Sequence, residues 1–179
     1  MTTAPPFWQT ILVHLKQPEY VHVLLNPLPI YGIALGALAL AIAMAMRNRR
    51  AHILALILIL IGAGSTIPVR YYGDAGYDVV ESRMSSDQAD AWLDAHGQRA
   101  LKAMPAFYTL IAMALVALLV PWKWPKSAWA LNALTLALAI FCFGLTAWIG
   151  FAGGQAMHEE FRSGNMMPPE PQGGYDKMR

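Results

Sequence analysis

Residues 30–46, 53–69, 106–122 and 128–154 contain no Asp, Glu, Lys, Arg or His. Runs that long and that apolar constrain the fold more than any other feature of the chain. A helix needs about 20 residues to cross a bilayer, with about 17 as the lower limit. Each of the three shorter runs therefore borrows flanking residues or tilts. Two loops between the runs, residues 47–52 (RNRRAH) and 122–127 (WKWPKS), carry Arg47, Arg49, Arg50, Lys123 and Lys126 and none of the 11 acidic residues. Lys and Arg in short loops stay on the cytoplasmic side. The basic loops alternate with segments that are acidic on balance. Four crossings with both termini outside satisfy this pattern.

The expected fold is therefore all-α: a four-transmembrane-helix bundle with spans at about 27–46, 52–70, 104–122 and 128–154. Pro27 and Pro29 punctuate the start of the first span, where a missing N–H costs little. Residues 1–26 are read as an interfacial amphipathic segment. Phe7, Trp8, Ile11, Leu12 and Leu15 form its apolar stripe, and Pro18 breaks it. No basic n-region opens the chain, whose first cation is Lys16, so no signal peptide is expected. An external helix over about 86–103 precedes the third span. Ser85 and Gln88 have capping-box spacing, Asp87 and Asp90 lie in the first turn, and Ala89, Trp92, Leu93, His96 and Ala100 share a face. Pro105 is expected to kink this helix or separate it from the span. Residues 163–179 form a Pro- and Gly-rich external tail, irregular and ordered only where a partner holds it.

Helix packing is assigned to Gly32 and Gly36 in the first span and to Gly150 and Gly154 in the fourth, where absent side chains let backbones approach. Charge-free spans disfavour a pump or an ion-coupled transporter, which need ionisable groups near the midplane. No Ser/His/Asp order or Lys-bearing phosphate loop is present. Glu159 and Glu160 are adjacent, so on a helix they diverge by about 100°. An enzyme is not expected. The single cysteine, Cys142, forms no internal disulfide, and no metal-spaced Cys pair or haem-attachment motif exists. The basic excess belongs to the two loops, so nucleic acid is not an expected partner.

Histidines are the remaining chemical candidates. His52 is placed in an inner loop, solvated. His14, His22, His96 and His158 are placed at the outer surface, and His22, His96 and His158 are candidates to converge there. The preferred reading is structural, with these rings bonded to carboxylates or backbone and no cofactor. The alternative is a b-type haem held by two imidazoles from facing helices, or a divalent metal shared with Glu159 or Glu160.

Residues 25–35 (LNPLPIYGIAL) and 148–162 (WIGFAGGQAMHEEFR) resemble a small four-helix bacterial inner-membrane family of unknown function. That family has a His-Pro-x-x-x-His-Phe-type start and a Gly-Gly-Gln-Ile-Arg-His-x-Glu-Ile ending. Gly153, Gly154, Gln155, His158 and Glu160 match the ending. His96 sits where members often carry a His before the third helix. Asn26 and Tyr31 occupy the two His positions of the start. If those histidines hold haem or metal in the family, this chain has lost that capacity or moved it to His22. The resemblance spans about residues 25–162 and implies topology rather than chemistry. The expected function is thus a non-catalytic accessory or scaffolding subunit of a larger inner-membrane complex, respiratory or photosynthetic. Its partners are the lipid bilayer and other membrane subunits. The alternative is a haem- or metal-binding electron-transfer subunit.

Overall fold

The computed structural model describes residues 6–162, 164 and 166–179. Residues 1–5 of the expected interfacial segment, and Ser163 and Asn165 of the expected tail, lie outside the described residues. The described residues form helices and no strand: α1 Phe7–His14, α2 Pro18–Leu25, α3 Pro27–Ala45, α4 Arg49–Gly64, α5 Thr66–Glu81, α6 Asp87–Leu119 and α7 Ala128–Met157, with short 3-10 turns at Val120–Trp122, Pro125–Ser127 and Glu159–Phe161. Four helical stretches, Pro18–Ala45, Arg49–Glu81, Asp87–Trp122 and Pro125–Met157, are long and apolar enough to cross a membrane.

Helix α3 packs on α4 and α7, α4 on α6, and α6 on α7, which closes a four-helix ring. Ile33, Leu40, Leu56, Ile59, Leu110 and Cys142 fill its centre. The approach of α3 to α4 depends on missing side chains. A Cβ on Gly62 would lie 2.6 Å from the Gly32 carbonyl carbon, and one on Gly36 would lie 2.9 Å from the Ile59 nitrogen. Away from this seam the helices turn apolar side chains outward. In the most apolar window of each stretch, from first to last, only 33%, 44%, 33% and 22% of residues are buried.

Prolines set the breaks. Pro18 and Pro27 occupy the first turns of α2 and α3. Pro68 lacks the N–H that would bond Gly64, so the α4–α5 stretch turns at Ser65. The Ser65 and Thr66 hydroxyls donate to the Gly62 and Ala63 carbonyls, at 2.7 and 2.6 Å. Pro105 does not separate the external helix from the third span. It sits inside an unbroken α6, so the external helix and the third span are one element. The cap of α6 is Ser86, which accepts from the Ala89 N–H, rather than Ser85.

Beyond the ring, α2 packs on α5, and α5 packs on the first half of α6. Helix α2 therefore belongs to the folded body. The close fit again uses glycine: a Cβ on Gly76 would lie 2.7 Å from the Glu19 nitrogen. Helix α1 buries no residue and exposes Phe7, Trp8, Leu12 and Val13.

Candidate functional site

Helices α2 and α6 each bring one histidine to the end of the ring away from the two basic loops, and both rings are seated in the same way. His22 Nδ1 donates to the Val69 carbonyl at 2.8 Å. Gly73 lies one turn further along α5, where a Cβ would stand 2.8 Å from that same nitrogen. His96 Nδ1 donates to the Ile149 carbonyl at 3.0 Å. Gly153 lies one turn further along α7, where a Cβ would stand 3.0 Å from Nδ1. In both cases a helix carbonyl takes the ring proton and a glycine four residues on clears room for the ring. The carbonyl partner requires the proton on Nδ1, which leaves the Nε2 lone pair as the available ligand. Neither Nε2 has a hydrogen-bond partner among the described residues.

The two rings stand 6.2 Å apart, centre to centre, with perpendicular planes. They line a common cavity with Asn26, Pro29, Thr66, Arg70, Met104 and Phe107, among others. The cavity has a volume of about 70 Å³, several times the roughly 10–15 Å³ that a single water needs. Imidazole nitrogen binds a first-row metal at about 2.0–2.1 Å, and the ring centre lies ~1.1 Å behind it. Two imidazoles on opposite sides of one ion thus have centres roughly 6.3 Å apart. The separation of His22 and His96 matches that spacing. Perpendicular planes are compatible with it, because each ring can turn about its own metal–nitrogen axis.

No third ligand joins them. Among the described residues there is no group of three His, Cys, Asp or Glu able to hold a metal ion. A closed tetrahedral site needs four protein ligands and a catalytic zinc site typically three. A haem iron needs only two from the protein, because the macrocycle supplies the other four. Two imidazoles in a mostly apolar cavity therefore fit haem better than a bare ion.

His158 is not part of this site. It lies past the end of α7, where its Nδ1 pairs with Glu160 at 3.0 Å and its ring stacks on Phe161. Its side chain is 52% exposed. The extended backbone of His158 turns the chain away from the cavity. The glycine assignments divide similarly. Gly32 and Gly36 face α4, whereas a Cβ on Gly150 would meet nothing within 4 Å and one on Gly154 only Phe161 at 3.6 Å. The glycine of α7 at a close approach is Gly153, and what it accommodates is a ring rather than a helix. His52 is half-buried in the first turn of α4 and lines a second, smaller cavity with Asn132, so it is not a solvated loop residue.

The C-terminal segment docks on its own chain. Glu170 pairs with Arg99, at 2.7 and 3.2 Å, and both side chains are almost fully buried. Asp94 accepts from the Gly174 and Tyr175 N–H groups at 3.1 and 2.7 Å. Gln98 donates to the Pro171 carbonyl at 2.7 Å, and Trp92 Nε1 to that of Met166 at 3.2 Å. The Tyr175 ring fills the space left by Gly97, and its hydroxyl donates to Asp74. Asp94, Gln98 and Arg99 form a polar face that reads as solvated in sequence and is buried under this segment. Arg70 and Gly73 carry no local signal of a site. What distinguishes them is a contact with residues far away in the chain.

No protein-family model matches the chain, and neither a curated protein nor a solved structure matches it.

Proposed function

We propose that the chain is a multi-pass protein of a bacterial inner membrane that binds b-type haem between His22 and His96 at its outer end and transfers electrons there. The spacing and seating of these two rings carry the reading. Each Nδ1 is tied to a backbone carbonyl and each Nε2 is left free, the arrangement by which proteins orient imidazole ligands. When bound, haem supplies a one-electron couple. His22 and His96 would be the residues that hold it, and the chemistry it would supply is electron transfer rather than turnover of a substrate.

Membrane insertion is supported by the outward apolar faces of α3, α4, α6 and α7, which are unfavourable against water. Orientation is supported by the five cations in the two loops at the end of the ring opposite the histidines. An electron carrier works between donors and acceptors, so membership of a larger respiratory or photosynthetic complex fits the reading.

The test is spectroscopic. Protein purified in mild detergent and supplied with haem is expected to show a Soret band at roughly 410–430 nm, as for bis-imidazole haem. His22→Ala and His96→Ala should each remove the bis-imidazole spectrum, and His158→Ala should leave it unchanged. A haem-supplied wild type without the band overturns the proposal.

A further inference from the structure

Arg70 lines the same cavity as His22 and His96. Only its Nε is engaged among the described residues, donating to Asp74 Oδ2 at 3.0 Å, one turn along α5. A guanidinium has five donors in a planar fork suited to bidentate pairing with a carboxylate. The side facing away from Asp74 is thus free to take another anion. Asp74 is itself held from the far side, because its Oδ1 accepts the Tyr175 hydroxyl. Tyr175 is buried and belongs to the docked C-terminal segment. The chain Tyr175–Asp74–Arg70 therefore runs from that segment to the cavity, which is otherwise walled largely by apolar side chains such as Met104, Phe107 and Ile149.

We propose that Arg70 is the anchor for a carboxylate on the ligand held between His22 and His96, positioned for that role by Asp74 and Tyr175. This inference rests on the two-histidine reading and makes it more specific. The ligand is a flat apolar macrocycle that must carry a free carboxylate at one edge, as haem does in its propionates. It also links the ligand to the C-terminal segment. A carboxylate that orders Arg70 favours the Asp74 arrangement to which Tyr175 bonds, and by linkage a docked Tyr175 favours the bound ligand.

The experiment titrates haemin and its dimethyl ester, in which both carboxylates are blocked, into full-length ligand-free protein in detergent. Wild type and Arg70→Gln are compared by absorbance. Wild type is expected to bind haemin about 10-fold to 100-fold more tightly than the ester, the size of a charge-assisted bond in a partly buried site. Arg70→Gln should weaken haemin to the level of the ester and leave ester binding unchanged. Unchanged ester binding also shows that the variant is folded. Tyr175→Phe should reduce the preference for haemin, in the same direction and by less. Equal binding of haemin and ester by wild type, each with the bis-imidazole spectrum, overturns the Arg70 anchor while the two-histidine site stands. The anchor is likewise overturned if Arg70→Gln keeps the full preference. A wild type that binds neither compound overturns the two-histidine site, and the anchor with it.

Discussion

Arg99 reaches from the first half of α6 into the centre of the outer end, where its side chain is 4% exposed. Its guanidinium lies over the rings of Trp92 and Trp148, at 5.6 and 4.9 Å from their centres, and bonds the Trp148 carbonyl as well as Glu170. A charge taken this far from water needs its counter-ion, so removing one member of such a pair costs roughly 3–5 kcal/mol. Glu170→Ala should release the C-terminal segment by leaving Arg99 unpaired, seen as loss of amide protection at Tyr175. The same pair makes docking sensitive to acid. Burial raises the Glu170 carboxyl, but its bond to Arg99 and the Arg99 charge outweigh that and hold it below the ordinary carboxylate range. A carboxyl lowered on folding stabilises above its unfolded value and loses that contribution as pH falls through the folded one. Tyr175 N–H protection should therefore be constant near neutrality and weaken only below the normal Glu titration at about pH 4.3. Loss of protection between pH 7 and 6 would count against Glu170 as the clamp.

At the scale of elements, glycine separates two kinds of close approach. Gly62 and Gly32 let α4 and α3 meet backbone to backbone, with no flexible atom able to yield. Gly62→Ala should destabilise the bundle by about 1–3 kcal/mol, through overpacking that only a helix shift can relieve. Gly150→Ala, although in a Gly-x-x-x-Gly pair of similar appearance, should stay within about 0.5 kcal/mol because its Cβ meets open space. Thermal unfolding in detergent checks both. Equal losses at the two positions would mean that α7 makes a helix contact which the structure lacks. The prolines carry a related lesson. Pro68 breaks its helix near the start of α5, where Ser65 and Thr66 can absorb the displaced carbonyls. Pro105 is carried within an unbroken α6, which places His96 and the apolar span on one helix.

Over the whole molecule, the two basic loops at one end and the paired histidines at the other give the bundle a polarity. In a Cys142→Ala background, a cysteine replacing Lys126 should react with a membrane-impermeant thiol reagent only after the membrane is opened. One replacing the exposed Gln172 should react in intact cells. The reverse pattern overturns the orientation and moves the two histidines to the cytoplasmic face.

The four helices were legible in the sequence because apolar length is a local property: residues 30–46 or 128–154 are unfavourable in water wherever the chain takes them. The alternation of basic loops is local in the same sense. The site was legible only as a set of residue types. His22 and His96 are separated by three helices, and nothing near either position selects His96's partner over His158. That choice follows from α2 folding onto α5, which depends on Gly73 and Gly76, and from the extended backbone at His158. The docking of the C-terminal segment leaves no signal in its sequence, for a related reason. Its Pro- and Gly-rich composition cannot form a core alone, but a core exists for it on α6, where Asp94, Gln98 and Arg99 supply its bonds and Gly97 makes room for Tyr175. Sequence alone determined which four segments are long and apolar enough to cross a membrane, and left the helix over Thr66–Glu81 beyond its second span unassigned. Tertiary structure decided which polar groups meet, because a hydrogen bond between distant residues is set by packing geometry and leaves no periodicity behind.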